Sequence, residues 1–369
     1  MHPALQSEIS GTTSISAQTQ LDALLHVVGI APLDGTGWIR VTGSDRVRWL
    51  NGMVTNAIQT LAPGEGCYNF VLNAQGRIQG DLTAWMLEDS ILLETSRDQL
   101  PALLTHFDRF IIMDDVELAD VSAQRAGFSV SGPRAAEMIE SISLPSPLAT
   151  LRLQSATWND VPLDIIHAHS PLVPRIELWS DAATIAALAA ALTAAGAIPV
   201  SSEALEALRI LSGTPRYGTD IRNTATAHEL PQETAPIGVQ SRALHFTKGC
   251  YLGQEIVERI HSRGNVHRTF AGFQLTGALP TPGTVLTADS YSDSDSDSDS
   301  HSDSHSHSDA KPVGELTSVA AIPLPAGPVQ LALGYIRRQA LPVAALDRNL
   351  PLQYPGGTAT PIALPYRIS

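Results

Sequence analysis

The stretch from Asp289 to Lys311 does most to limit how this chain can fold. From Ser292 to Asp309 it alternates Ser with Asp or His and offers nothing that could line a core. Such a run buries too little apolar surface to offset the entropy of ordering it, so a disordered insert at about 289–311 is expected. The segments on either side, 269–288 and 312–355, must then find each other across it. Both alternate apolar and polar residues in short runs punctuated by Pro and Gly, the pattern of a small β-barrel. With seven Asp and one Lys, 289–311 carries −6 of the chain's net charge of −14, which leaves −8 for the rest. His301, His305 and His307 lie among these acids, but flexible ligands must be ordered before they can bind, so no metal site is expected.

A chain of 369 residues suffices for two or three domains, and 43% hydrophobic with 16% charged residues describes a packed protein. The negative balance argues against direct nucleic-acid binding. Cys67 and Cys250 are the only cysteines, so neither a disulfide framework nor a C-x-x-C metal site is available. The Ser- and Thr-rich start lacks the basic and apolar regions of a signal peptide, and no apolar run approaches the ~18 residues of a membrane span. The expectation is a cytoplasmic protein, without membrane contact, that begins with a loose tail over 1–26.

Hydrophobic periodicity divides the remainder. Strand-like alternation near 37–41, 68–72, 80–86 and 91–94, followed by a helix over 99–110, makes 27–122 a first unit. Residues 123–200 read as a separate α+β unit, whose β-α-β-β-α-β order suggests a ferredoxin-like split βαβ. Its second helix is capped at Ser180 or Asp181, buries Ile185, Leu188 and Leu192, and stops at Gly196. A helix over 204–211, ended by Gly213 and Pro215, opens 201–268, which returns to the first unit. The barrel and its insert occupy 269–369.

Within that returning segment lies Lys248-Gly249-Cys250-Tyr251-Leu252-Gly253-Gln254-Glu255. Ile256, Val257 and Ile260 share a helical face, Glu255 is in the first turn, and Arg259, His261 and Arg263 come toward the last. Cys250 therefore sits just ahead of a helix N-terminus, with Lys248 two residues away. Both features would lower a thiol pKa, and Gly249 and Gly253 would let a ligand or partner approach the backbone. Read alone, a lone cysteine is most often a small buried hydrophobe.

The octapeptide resembles the K-G-C-Y-x-G-Q-E signature of the YgfZ family of folate-binding proteins, relatives of the glycine-cleavage aminomethyltransferase (T-protein). Arg263-Gly264-Asn265-Val266-His267-Arg268 resembles the R-G-x-x-x-R that follows it in that family, and Leu50-Asn51-Gly52, Asn73-Ala74-Gln75-Gly76 and Tyr217-Gly218-Thr219-Asp220 look similar too. The resemblance implies an α+β, multi-domain, aminomethyltransferase-like folate-binding fold. It also implies an accessory factor for iron–sulfur cluster assembly or repair in client enzymes, including one that modifies tRNA, that uses tetrahydrofolate or a one-carbon derivative and needs the motif cysteine. Carried over by position, Cys250 and Lys248 are the reactive pair, with Gly249, Tyr251, Gly253, Gln254, Glu255 and Arg263 in support. Asp81, Tyr68 and Glu177 match pterin contacts, although read alone they are equally a turn acid, a core aromatic and a surface strand acid. Aminomethyltransferases often carry two adjacent acids where this chain has Gly80-Asp81. A folate-dependent transferase activity, an authentic aminomethyltransferase and a non-catalytic interaction module all remain open.

Overall fold

Two sheets packed face to face build the first two-thirds of the chain, and a closed barrel completes it. In the computed structural model the described residues are 15–146, 149–224, 227, 229–237, 242–263, 266–288, 311–340 and 351–368.

The chain enters as helix α1 (Ala17–His26), capped by the Ser16 hydroxyl and burying Leu21, Leu24 and Leu25. This corrects the expected tail from Ser16 to His26, while 1–14 lie outside the described residues. Three leucines at i, i+3 and i+4 behind a Ser cap are a helical stripe, and Gln20 also accepts from the Ser201 amide at 2.7 Å.

Strand β1 (Gly29–Pro32) follows, then β2 (Thr36–Thr42), α2 (Arg46–Met53), β3 (Gly66–Leu72), β4 (Ile78–Met86), β5 (Ile91–Ser96), α3 (Leu100–Asp108) and β6 (Glu117–Asp120). The first sheet runs β3-β4-β5-β2-β6. Period-two alternation sorts its faces. Leu82, Ala84, Ile39, Val41 and Leu93 join Trp49 of α2 and Phe107 of α3 in one core. Trp38, Trp85 and Leu92 point the other way and meet Trp179, Ile166 and Leu153 of the second sheet. The Trp38 and Trp179 rings meet edge to face at 4.9 Å.

The second sheet comprises β7 (Ala126–Ser131), helix α4 (Ala135–Ser141), β8 (Arg152–Trp158), β9 (Val161–Ala168), β10 (Arg175–Ser180), α5 (Ala182–Ala194) and β11 (Ile198–Pro199), and takes β1 as well. Asp181 caps α5 by accepting from the amides of Ala183 and Thr184. The strand order is β11-β1-β7-β10-β9-β8. Without β1 and β8 this is the ferredoxin-like order. The expected unit over 123–200 is therefore not self-contained, because β1 separates β7 from β11 and pairs with both.

Helix α6 (Ser202–Ser212) ends at Gly213 in a left-handed conformation, and α7 (Gln254–Arg263) follows the cysteine loop. The barrel is built of β12 (Arg268–Gly277), β13 (Val285–Ala288), β14 (Lys311–Leu324), β15 (Gly327–Arg337), β16 (Leu352–Tyr354) and β17 (Gly357–Ile362), closed in the order β12-β15-β14-β13-β16-β17. Ala288 pairs with Lys311, so the chain leaves and rejoins the barrel at neighbouring positions of one antiparallel pair. The Ser/Asp/His run itself lies outside the described residues. Among the described residues no helix is long and apolar enough to cross a membrane, and no cluster of three metal-ligating side chains occurs.

Candidate functional site

A cleft of about 530 Å³ opens along the edge of the sheet-to-sheet interface, between the outer face of β4 and β5 and the start of α6. Its wall follows from strand alternation. Leu82 and Ala84 are buried in the first core, while Asp81 and Thr83 are half-buried on the opposite face. The pairings Tyr68–Thr83 and Thr83–Glu94 then set one row of side chains across three strands.

Asp81 is held from two sides. The Tyr68 hydroxyl donates to Oδ2 at 2.7 Å, and the Gln99 amide donates to Oδ1 at 2.8 Å. Gln99 Oε1 in turn accepts from the Asp81 amide at 3.0 Å. Burial raises the Asp81 pKa, opposed by these two hydrogen bonds and by the Arg242 guanidinium. Arg242 lies over the Tyr68 ring at 4.5 Å. The glycine at 80 has a local reason. A Cβ there would stand 2.8 Å from Leu103 Cδ2 and 2.9 Å from Gln99 Oε1, so a second acid would displace the glutamine that orients Asp81.

Glu177 is 1% exposed, which corrects the reading of it as a surface acid. Arg175 Nη2 approaches its Oε1 at 2.6 Å and the Trp179 indole donates to Oε2 at 3.0 Å. It stands behind Arg175, which lines the cleft, and shares the interface with Glu94, which the sequence did not single out.

The octapeptide forms the second feature. Cys250 is exposed, ahead of α7. Lys248 is not its partner: the ammonium donates to the carbonyls of Asn51, Val54 and Asn56 at 2.6–2.7 Å and sits 4.9 Å from the Tyr251 ring centre. Burial pushes its pKa down to about 8, whereas three carbonyl acceptors favour the protonated form. The expected Lys248–Cys250 pair is therefore corrected to a structural lysine that pins the loop to the end of α2. Gly253, at φ +83°, is filled by the protein itself, since a Cβ would come within 2.5 Å of the Asn73 carbonyl oxygen. Gly249 has open space around it. Tyr251 is buried with Phe70, Leu72 and Val257, and the half-buried Tyr68 packs against the same cluster. Gln254 accepts from the Tyr251 amide at 3.2 Å, while Glu255 and Arg263 are exposed on α7. Cys250 is not among the residues lining the cleft. Acid site and thiol are thus linked through one aromatic cluster without being in contact.

Two facing sheets with an oriented acid in a cleft, an exposed cysteine loop and a closed C-terminal barrel together make an aminomethyltransferase-like fold. Residues 12–235 match the family described as the GCVT N-terminal domain, and the chain belongs to that family. The Arabidopsis thaliana protein named "Putative transferase At1g60990, chloroplastic" is 26% identical over 87% of this chain and 68% of its own length. The aminomethyltransferase of Frankia alni is 26% identical over 89% of this chain and 80% of its own. In fold, the chain is similar to the glycine cleavage system aminomethyltransferase T of Bartonella henselae, with a TM-score of 0.75 at 19% identity over 96% of this chain and 91% of that one.

Proposed function

We propose that this protein binds tetrahydrofolate or a one-carbon derivative in the cleft, and uses Cys250 as a YgfZ-like accessory factor for iron–sulfur client enzymes. The observation that carries the reading is the Tyr68–Asp81–Gln99 arrangement. Each Asp81 oxygen accepts one hydrogen bond from the protein and keeps further lone pairs, as a carboxylate must if it is to receive the N–H groups of an aminopyrimidine. The exposed thiol on the octapeptide supports the accessory role. A thiol free of hydrocarbon packing can act as nucleophile or redox group toward a client. Tetrahydrofolate, when bound, supplies the one-carbon or redox chemistry. Asp81, Tyr68 and Gln99 orient it, and the client's clusters and RNA remain outside this chain.

The test is complementation of an iron–sulfur-dependent tRNA-modification defect by wild type, Cys250→Ala and Asp81→Ala, paired with calorimetric titration of 5-formyltetrahydrofolate. Cys250→Ala should bind folate but fail to rescue, and Asp81→Ala should lose roughly tenfold or more in affinity, as expected when a buried charged hydrogen-bond partner is removed. Equal rescue by all three would end the reading. The names of the curated relatives favour a second one, an aminomethyltransferase of glycine cleavage. Formation of methylene-tetrahydrofolate in a reconstituted glycine-cleavage system would select it.

A further inference from the structure

The loop that joins α3 to β6 holds apolar side chains in water. Ile112 is 82% exposed and Met113 94%, and Phe110 precedes them at 37%. Elsewhere among the described residues only Leu279 and Val285, both at the barrel, are large, apolar and exposed. The loop is braced on both flanks. Ile111 packs against the first core, the Phe110 ring lies 5.3 Å from His106, and the Trp49 indole of α2 donates to the Phe110 carbonyl at 3.2 Å. On the other flank the Asp115 amide donates to Asp45 Oδ2 at 2.9 Å, and the Asp45 amide donates to the Asp115 carbonyl at 3.2 Å. Arg48 joins Asp45 to Asp114. Apolar side chains held in fixed positions in solvent are anchors for a partner. The same helix carries the cysteine loop. Gly52 of α2 accepts from the Leu252 amide at 3.0 Å, and Leu252 packs against the core that also takes Ile111. Trp49 and Gly52 are about 4.5 Å apart along the helix axis, so one turn of α2 braces both the apolar tip and the thiol loop.

We infer that Phe110, Ile112 and Met113 are the docking tip for the client protein of Cys250, and that the client receives them in an apolar socket rimmed by basic residues. The inference rests on the accessory-factor reading, which requires a client to reach the thiol. Charge around the tip selects the partner. Residues 108–117 hold Asp108, Asp114, Asp115 and Glu117 against Arg109, a balance of −3. Among the described residues Arg48 is the one cation paired with any of these acids, and its other partner Asp45 cancels its charge. An enzyme that modifies tRNA must offer basic side chains to phosphate, so its surface suits an acidic rim. Anionic lipid is repelled by the same acids. A second copy would set −3 against −3 across a self-complementary contact.

The experiment measures binding of the full chain, at low and at high salt, to the purified iron–sulfur enzyme whose tRNA-modification defect it complements. Ile112→Ser/Met113→Ser should weaken binding roughly tenfold or more at both salt levels, the effect of losing two apolar anchors. Asp108→Lys/Glu117→Lys should weaken it at low salt and match wild type at high salt, where rim charges are screened. Neither pair lines the cleft, so both variants should titrate 5-formyltetrahydrofolate as wild type does, which also reports that they fold. A serine variant that binds the enzyme like wild type would overturn the proposal. So would a charge-reversed variant unchanged at low salt. The proposal also falls if the serine substitutions instead abolish self-association in light scattering, or binding to vesicles of phosphatidylglycerol and phosphatidylcholine. Rescue by a wild type that does not bind the enzyme would sink the docking tip alone. Loss of both rescue and binding would remove the accessory-factor reading with it.

Discussion

At the scale of single residues, the two cysteines have opposite environments. Cys67 is 7% exposed, its sulfur accepts from Asn69 Nδ2 at 3.2 Å, and burial pushes its pKa up to about 11. Cys250 stands in solvent. At pH 8 a group with a pKa near 11 is thiolate about one part in a thousand, and the thiolate is the reactive form. A disulfide exchange reagent should therefore label one thiol per chain in the native protein, a second only in denaturant, and none rapidly in Cys250→Ala. Two fast equivalents from native wild type would show that the Cys67 site opens readily. The same scale shows where sequence proximity misleads. Lys248 lies two residues from Cys250 yet reaches back to Asn51, Val54 and Asn56, because three convergent carbonyls hold an ammonium better than one exposed sulfur. Glu94 was illegible for the converse reason: the cleft it lines forms where β5 comes up against other elements distant in the chain, and no spacing marks that.

At the scale of elements, periodicity carried much of the architecture. The alternation at 80–86 placed a strand that the structure extends to Ile78–Met86, and the same alternation puts Asp81 and Leu82 on opposite faces. Asp81 and Tyr68 as a pair were legible only through family resemblance, since the register that unites them belongs to a pairing of β3 with β4. No periodicity marked β1 for the second sheet, because four residues pair wherever an edge is offered. Glycines mark the fit of the cysteine loop against the first sheet. Gly253 meets the turn Asn73–Gly76, and a Cβ on Gly76 would stand 2.7 Å from Ile256 Cβ of α7. Gly253→Ala adds a Cβ at positive φ against a backbone oxygen, and the strain and overlap together should cost on the order of 2–4 kcal/mol. Urea denaturation measures that loss, and faster exchange of the α7 amides should accompany it. A change below about 0.5 kcal/mol would mean that the loop relaxes freely and that its glycines do not fix the thiol.

At the scale of the whole molecule, the barrel is joined to the sheets through buried charge as well as apolar packing. Asp220 is fully buried between them. Its Oδ2 receives Arg209 Nη1 of α6 at 2.7 Å, and its Oδ1 receives the hydroxyls of Thr317 and Ser318 from β14. Successive strand residues normally face opposite ways, but the β14–β15 register shifts between Leu316 and Ser318, and this bulge lets both hydroxyls reach one carboxylate. Arg209 also donates to Ser318 Oγ at 2.6 Å, which closes the ring. A second link runs from Arg222 to Glu229 and to Glu315 of β14, and from Arg268 of β12 to Glu229 and Glu233. Removing one member of a buried, hydrogen-bonded ion pair leaves the other charge uncompensated and typically costs about 3–5 kcal/mol. Asp220→Ala should therefore destabilise the protein by that amount. Because the lost contacts span the junction, hydrogen exchange should show β12, β14 and β15 opening ahead of the β3–β4–β5 core. Asp220→Asn keeps an acceptor for the hydroxyls and should lose less. A uniform loss of protection across sheets and barrel would instead mean that the two unfold as one unit, held by the apolar contacts of α1 and α6 with Leu331, Leu333 and Tyr335 rather than by this carboxylate.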